Sequence, residues 1–309
     1  MKRIQYDEYG GPELMHLADV ESGSPGRGQV LVRVRAAAAN PMDWKIRNGD
    51  MKMMTRSAFP RGLGHDFAGN VLSVGKGVTR FREGDQVLGA MSMKTSGAFA
   101  ETVVAEENLL VHKPESLSFE EAAALPTVGL TALQCVVDKG QVRAGANVFV
   151  NGCLGGVGRS AVQLAKLYGA SVGGSCRTSA KADAEALGIS PVVDFEFDPV
   201  GLKGQYDVVI DTAGTMSRRA AQTLLKPKGR IIDINPSAAK MARAVVTRNF
   251  KPLIVKYSSK DLATVTEAAA TGKLSIPIAR SVPLSNAIEA LTELEGARTP
   301  KGGKLIIIP

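Results

Sequence analysis

The chain has 309 residues, a length that allows two ordinary domains, and its 44% hydrophobic and 22% charged residues are typical of a soluble globular protein. No apolar run reaches the roughly 18 residues of a membrane span, and the N-terminus lacks the apolar core of a signal peptide. The three cysteines, Cys135, Cys153 and Cys176, show no C-x-x-C spacing, which argues against a disulfide framework or a four-cysteine zinc site and favours a reducing, cytoplasmic location.

The first 120 residues have a β-rich pattern. Apolar and polar residues alternate over Gln29–Ala36, with Val30, Val32 and Val34 on one face. Two further apolar runs, at 69–75 and 84–91, follow between turn residues. Short strands at this spacing predict a barrel or a sandwich.

Strands and helices alternate after residue 120. Ser118 is a candidate helix N-cap, with Glu120 and Glu121 in the first turn of the helix. Strands are predicted at 147–151, 170–176, 191–195, 206–211, 229–234 and 303–309, and helices at 158–169, 179–188, 216–225 and 261–274. This alternation predicts a doubly wound parallel sheet covered by helices.

Glycines crowd the first strand-to-helix turn of the alternating half. They are Gly152, Gly155, Gly156 and Gly158, with Val157 inside the GGVG stretch. Glycine lets a pyrophosphate approach the backbone without an intervening Cβ, and the free N–H groups of a helix N-terminus attract anions. Because the turn follows a strand and opens a βαβ unit, it predicts a dinucleotide site.

The end of the second strand indicates which dinucleotide binds. An NAD site usually places an acid there, about 20 residues after the glycines, to hold the ribose 2′-hydroxyl. Here no acid appears before Asp183, and Ser175, Arg177 and Lys181 stand in that place. Because cations suit a 2′-phosphate, the pattern favours NADPH over NADH, and the predicted cofactor is NADP. The alternative is that Arg177 and Lys181 are ordinary surface charges.

Four stretches together resemble the medium-chain dehydrogenase/reductase superfamily. They are NPMDWKIRNG (Asn40–Gly49), GHDFAGNVLSVGKGVTRFREGDQVLG (Gly64–Gly89), AAALPTVGLTAL (Ala122–Leu133) and GGVG (Gly155–Gly158). The resemblance covers nearly the whole chain and is strongest to the zinc-independent quinone oxidoreductase branch. Within that branch, NPMDWKI and PKGGKLIIIP are similar to chloroplast envelope members and to alkenal reductases.

The resemblance implies a GroES-like β-rich catalytic domain that is interrupted by a Rossmann cofactor domain. We expect the catalytic domain at 1–121, the NADP-binding domain at 122–258 and a return to the catalytic domain at 259–309. The same resemblance implies a homodimer and a small quinone or enone substrate.

Zinc-dependent relatives bind the catalytic metal with an early cysteine, the histidine of a G-H-E motif and a later cysteine. Here the early position falls within Ala39–Asp43, which has no cysteine, and Asp66 replaces the glutamate after His65. One histidine cannot build the three-ligand site of a catalytic zinc, so we expect no metal. His65 is then structural or a minor pocket residue.

Without a Lewis acid, a conjugated acceptor is easier to reduce than a simple carbonyl, because the charge that develops is delocalised.

By resemblance, Asn40 lies near the nicotinamide as a hydrogen-bond donor to the developing oxyanion. By the same resemblance, Thr127 contacts the nicotinamide ribose, and the alternative is that this threonine only packs its helix. Lys45 stands where some relatives have a tyrosine, and both an oxyanion donor and a solvent-facing lysine stay open. Asp43 is expected to cap the local turn, and Trp44 to line the pocket or the core.

Basic residues concentrate at 218–256, where ten Lys or Arg and one acid give +9, more than the net charge of +8 of the whole chain. A solvated face is the simplest interpretation. The alternatives are nucleic-acid binding, in the manner of zeta-crystallin relatives, and peripheral contact with an anionic membrane. The low aromatic content, 5%, argues against nucleic acid. The sequence does not separate one-electron quinone chemistry from two-electron hydride addition.

Overall fold

A computed structural model describes residues 1–55, 59–235, 237–297 and 302–309, which form two compact units. Unit 1 comprises Met1–Thr127, Tyr257–Ala270 and Ile276–Pro309, and unit 2 comprises Val128–Lys256 and Thr271–Ser275. The main divisions lie at most six residues from the domain boundaries predicted at 121/122 and 258/259. Pro300 and Lys301 of the terminal motif, and Pro236 of the basic stretch, lie outside the described residues.

The elements are numbered in chain order. The strands are β1 (Lys2–Tyr6), β2 (His16–Asp19), β3 (Gln29–Ala38), β4 (Arg61–Gly62), β5 (Asp66–Val74), β6 (Gln86–Ala90), β7 (Thr102–Glu106), β8 (Leu110–His112), β9 (Asn147–Asn151), β10 (Ser171–Ser175), β11 (Val192–Val193), β12 (Tyr206–Asp211), β13 (Leu225–Asp233), β14 (Phe250–Pro252), β15 (Ile278–Pro283) and β16 (Lys304–Ile308). The helices are α1 (Pro41–Arg47), α2 (Lys52–Thr55), α3 (Phe119–Ala124), α4 (Pro126–Leu133), α5 (Gly156–Leu167), α6 (Lys181–Ala186), α7 (Arg218–Leu224), α8 (Ala238–Val246), α9 (Ser259–Ala270) and α10 (Ala287–Gly296).

Unit 1 is built on a seven-stranded sheet in the order β15-β16-β3-β5-β6-β8, with β7 also paired to β3. In β3, Val30, Val32 and Val34 are buried while Arg33 and Arg35 are exposed, which confirms the predicted alternation. A smaller sheet, β2-β1-β4, packs its apolar residues into the same core. The predicted β-rich domain is therefore confirmed.

Unit 2 is built on a six-stranded parallel sheet in the order β11-β10-β9-β12-β13-β14. The chain starts at β9, winds outward to β11, and returns to the other side of β9 with β12. This reversal is the switch point of a doubly wound fold, where ligands bind at the carboxyl ends of the strands. The predicted Rossmann sheet is confirmed.

The structure differs from the predicted elements in several respects, of which two concern helices and one short strand. It contains helices that the hydrophobic pattern did not indicate, among them α1, α2, α8 and α10. Conversely, β11 spans only two residues where five were predicted, because the chain turns away at Asp194 to bond the segment that follows β10. Among the described residues, no helix combines the length and the apolar character that crossing a membrane requires.

Candidate functional site

The glycine turn of unit 2 follows β9 and leads into α5. A Cβ on Gly158 would lie 2.1 Å from the carbonyl oxygen of Gly152, so close packing of α5 on the turn excludes any side chain there. Gly152 has a φ of +80°, which favours glycine. At Gly156 a Cβ would lie 3.0 Å from Val128 Cγ1. These three glycines are explained by the protein itself.

Gly155 needs a different explanation. Its φ of −68° suits any residue, and a Cβ there would meet only the Gly152 oxygen, at an ordinary 3.5 Å. Gly155 caps α5, so the N–H groups of Gly156, Val157 and Gly158, which have no acceptor within the helix, lie directly beside it. The space that a side chain would occupy is the space that a pyrophosphate needs, so the turn fits the predicted dinucleotide.

Polar side chains at the ends of β9, β10 and β12 hold the turn in place through hydrogen bonds. Asn151 Nδ2 donates to Asp211 Oδ1 at 2.7 Å, and Thr212 Oγ1 donates to the Asn151 carbonyl, also at 2.7 Å. Burial raises the pKa of Asp211. Ser175 is fully buried, and its hydroxyl donates to Asn151 Oδ1 at 2.5 Å. Ser175 therefore positions the turn, and its hydroxyl is committed to protein atoms rather than open to a ribose phosphate.

The segment after β10 carries the two predicted phosphate ligands. Arg177 is exposed, whereas Lys181 lies 3.8 Å from Glu185 in an exposed i,i+4 ion pair. An acid also lies here that the sequence analysis did not place. Asp194 accepts from both the backbone N–H and the hydroxyl of Thr178, and the hydroxyl contact holds the pKa of Asp194 below its usual value. Its charge is thus directed at Thr178. Arg177 is the stronger candidate for a 2′-phosphate because it stands two residues after the end of β10, whereas Lys181 stands six residues after it.

Two cysteines lie in or beside the turn. Cys153 and Cys176 are both buried, and burial raises the pKa of Cys153 to about 12. A Cβ on Gly174 would come within 2.8 Å of Cys153 Cβ, so the thiols fill a tightly packed space. This agrees with the expectation that they are small packing residues.

In unit 1, sheet register gathers three polar residues from distant parts of the sequence. The antiparallel β16–β3 pairing sets Ile306 opposite Ala38, which brings Lys304 beside Asn40 just past the end of β3. On the other edge of β3, Ala38 pairs with Asp66 at the start of β5. Asn40, Asp66 and Lys304 are all buried, and we call these three residues the charge bridge.

The amide of Asn40 connects the two charges of the bridge. Lys304 Nζ donates to Asn40 Oδ1 and to the Ala39 carbonyl, both at 2.6 Å. Asn40 Nδ2 donates to Asp66 Oδ2 at 2.9 Å and to the Ala38 carbonyl at 3.2 Å. Both amide hydrogens of Asn40 are therefore taken. The prediction that Asn40 donates to a substrate oxyanion does not fit this geometry, and Asn40 instead fixes the position of Asp66 relative to Lys304.

A chain of hydroxyl groups continues from Asp66. Thr127 Oγ1 donates to Asp66 Oδ1 at 2.7 Å and its backbone N–H to Oδ2 at 3.0 Å. Tyr257 Oη lies 2.8 Å from Thr127 Oγ1 and 3.9 Å from Met42 Sδ. Burial raises the pKa of Tyr257, so its hydroxyl keeps its proton, and burial likewise raises the pKa of Asp66 and lowers that of Lys304. We call Tyr257, Thr127 and Asp66 the hydroxyl chain.

The remaining predicted residues lie on or near α1. Asp43 Oδ2 accepts from the backbone N–H of Asn40 at 2.8 Å, which confirms its capping role. Its other oxygen lies 2.8 Å from His65 Nδ1, so Asp43 also orients the imidazole, which the sequence analysis did not predict. Lys45 and Trp44 are both half-buried on α1, and the two alternatives for each of them stay open.

The donor set of unit 1 does not fit a zinc ion. The buried Lys304 ammonium, 2.6 Å from Asn40 Oδ1, puts a positive charge where a metal cation would be repelled. His65 Nε2 is buried, and no hydrogen-bond partner is found for it in the described part of the chain. Across 1–55, 59–235, 237–297 and 302–309, no group of three His, Cys, Asp or Glu side chains is arranged to hold a metal.

Sequence reasoning missed Asp66, Lys304 and Tyr257 as functional candidates. Asp66 opens the apolar strand FAGNVLSV and Lys304 opens the strand LIII, so each is a charge beside a run that must be buried. That position is a usable signal for a buried, paired charge. Tyr257 follows the basic stretch with no comparable signal.

The comparisons agree with this architecture. Residues 26–115 match the alcohol dehydrogenase GroES-like domain family, and residues 187–307 match the zinc-binding dehydrogenase family. The chain is 33% identical to a chloroplast envelope quinone oxidoreductase homolog of Arabidopsis thaliana, covering 100% of this chain and 98% of that protein. It is 35% identical to an NADPH-dependent alkenal/one oxidoreductase of the same plant, covering 81% and 66%.

A solved structure gives the same result. The quinone oxidoreductase of Coxiella burnetii superposes with a TM-score of 0.88 at 32% identity, covering 100% of this chain and 99% of that one. The chain therefore belongs to the medium-chain dehydrogenase/reductase superfamily, in its quinone oxidoreductase branch, and is an oxidoreductase. The predicted family is confirmed.

Proposed function

We propose that the protein is an NADPH-dependent reductase of quinones or of activated C=C bonds in α,β-unsaturated carbonyl compounds, working without zinc. The observation that carries the proposal is the hydroxyl chain, which offers a proton to a reduced acceptor within a cluster whose positive charge is Lys304. The names of the relatives, a quinone oxidoreductase and an alkenal/one oxidoreductase, support the same substrate classes.

The glycine turn would hold the cofactor pyrophosphate, through the N–H groups beside Gly155, and Arg177 would hold the 2′-phosphate. When bound, reduced NADP supplies the hydride. Ser175 and Asn151 keep the turn in its binding conformation. Without these hydrogen bonds the backbone N–H groups would no longer point toward one place, so Ser175 affects the affinity for the cofactor indirectly.

The chain's own residues would handle the proton. Hydride addition to the β-carbon of an enone leaves an enolate, whose oxygen takes the proton of Tyr257. For this relay Asp66 would first take up a proton, which burial favours by raising its pKa, and the Asp66–Thr127 hydrogen bond would then reverse. Asp66 would donate to Thr127 Oγ1 as Thr127 passes its own proton to Tyr257. General acid catalysis of this kind contributes about 10²–10⁴-fold to rate.

The absence of a strong electrophile determines which substrates react. A saturated carbonyl concentrates the developing charge on one oxygen, and losing one oxyanion donor costs about 2.7–4 kcal/mol in known sites. A conjugated acceptor spreads the charge, so one neutral hydroxyl donor suffices. We expect poor reduction of saturated aldehydes.

The test is steady-state kinetics with NADPH on an enal and on the saturated aldehyde of the same length. Tyr257→Phe and Thr127→Val should each lower kcat for the enal by about 100-fold or more with little change in KM, because the proton is transferred only in the transition state. Tyr168→Phe, on the surface of unit 2, is the matched control. Equal turnover of the two substrates would reject conjugate reduction, and an unchanged kcat in Tyr257→Phe would reject the proton pathway.

A further inference from the structure

A basic groove of about 700 Å³ lies on unit 2, away from the glycine turn. Its cations are Lys139, Lys228, Arg230, Arg248 and Lys251, and its single acid is Asp138, so the lining side chains carry five positive charges against one negative charge. The cations come from three separate parts of the fold: the helical segment Gln134–Lys139, strand β13, and the stretch from Arg248 into β14. From this convergence we propose that the groove is a second anion site, which binds a short chain of phosphates.

The backbone of the groove is held in an uncommon conformation. Gln141 and Lys228 both line it and have φ values of +52° and +70°; in the described residues only one other non-glycine residue, Ser96, has a positive φ. Such conformations cost free energy and cluster at binding sites. Arg230 is fixed as well, because its Nη1 donates to the Lys139 carbonyl at 3.0 Å. The cations are therefore partly preorganised for a ligand.

The size of the groove and the surrounding ion pairs favour a compact ligand over a long polymer. Lys226 pairs with Asp207 at 2.7 Å, and Lys240 pairs with Asp233. These pairs interrupt the basic stretch on the surface, so its charges do not form a continuous track for a nucleic-acid backbone. A volume near 700 Å³ is in the range of small-molecule sites, about 300–1,000 Å³.

Strand register separates the groove from the dinucleotide turn. Parallel pairing aligns Asp211 with both Asn151 and Asp233 at the carboxyl edge, where the glycine turn follows β9. The pair of Arg230 with Val208 lies three residues before the pair of Asp233 with Asp211, and Arg248 precedes β14. The groove thus lies toward the amino edge of the sheet, so it does not depend on the proposed NADPH site.

The experiment is isothermal titration of the full chain with sodium tripolyphosphate at low salt. Arg248→Gln/Lys251→Gln should weaken binding by about 100-fold, about tenfold for each charge-assisted bond lost. Arg218→Gln/Arg219→Gln, which removes the same charge from α7 outside the groove, should change the affinity by less than threefold. Arg177→Gln/Lys181→Gln, at the dinucleotide end, should also leave it unchanged.

A second arm uses ATP without metal, to distinguish the source of the phosphates. Affinities within tenfold would identify the phosphate chain alone as the ligand, and at least tenfold tighter ATP binding, lost in the groove variant, would identify a nucleotide. The proposal is overturned if no saturable binding is seen, if the α7 control weakens binding as much as the groove variant, or if the Arg177/Lys181 variant abolishes binding. Selective binding of a 20-nucleotide RNA without tripolyphosphate binding would overturn it in favour of nucleic acid.

Discussion

Replacing Lys304 with methionine removes the cation of the charge bridge and leaves Asp66 buried without it. One amide separates the two charges by roughly 6–8 Å, and at an effective dielectric constant near 20 their attraction is about 2–3 kcal/mol. Removing one member of a buried ion pair costs about 3–5 kcal/mol in other proteins. The Ala39 and Asn40 oxygens also lose their donor. We therefore expect Lys304→Met to lower the free energy of unfolding by about 2–4 kcal/mol.

Trp44 provides the assay, because it is the only tryptophan in the chain and lies in unit 1 with the charge bridge. Urea unfolding at pH 7, followed by Trp44 fluorescence, reports the stability of this unit. Lys2→Met is the matched control, since Lys2 pairs with Asp19 on the exposed surface of the same unit and should leave the midpoint unchanged. Lys304→Met/Asp66→Asn should be more stable than the sum of its single variants by about 1–3 kcal/mol, because it leaves no unpaired charge.

Two results would refute this account. If Lys304→Met unfolds at the same urea concentration as Lys2→Met, the buried cation contributes nothing measurable. If the effects of Lys304→Met and Asp66→Asn simply add, the two residues are not coupled through the Asn40 amide. Either result would also weaken the proposed function, which relies on a cluster of fixed charges.

Three further outcomes are expected. Arg177→Ala should weaken NADPH binding by about tenfold or more and leave the affinity for NADH unchanged. Lys181→Ala should have a smaller effect, because Glu185 already shares its charge. If titration showed that each variant weakens NADPH and NADH binding equally, the assignment would be contradicted. Purified protein should contain no stoichiometric zinc by elemental analysis and should keep its activity in chelator. Cys153, with a pKa raised to about 12, should resist alkylation by iodoacetamide at pH 8 until the protein unfolds, and rapid modification of native protein detected by mass spectrometry would show an open thiol.

The sequence predicted the parts of the fold that follow from local pattern. Alternation in β3 and the strand–helix alternation after residue 120 each identify an element without reference to the rest of the chain. The N-cap predicted at Ser118 is also a local feature. It is confirmed, because the Ser118 hydroxyl accepts from the backbone N–H of Glu121 three residues later. The glycine turn was found because a strand and a helix flank it directly.

The charge bridge could not be predicted in this way, because it depends on long-range register. Asn40 and Lys304 are 264 positions apart, and only the β16–β3 pairing brings them together. A shift of one residue in that register would turn Lys304 to the opposite face of the sheet. The role of Asn40 changed for this reason: as an isolated residue it offers two hydrogens to a substrate, but the register supplies Asp66 and the Ala38 carbonyl to take both.

The charge balance of unit 1 connects its buried cluster to the proposed reaction. Asp43 and Asp66 contribute two carboxylates, and Lys304 contributes one ammonium group. Two carboxylates against one ammonium group leave the cluster negative by one charge, and an oxyanion formed nearby would be repelled. A proton taken up by Asp66 removes that repulsion, and burial has already raised its pKa in the direction that favours uptake. In the proposed reaction this proton would pass from Asp66 through Thr127 to Tyr257, so burial of Asp66 would both reduce the repulsion and supply the proton that reduction of an enone or quinone consumes.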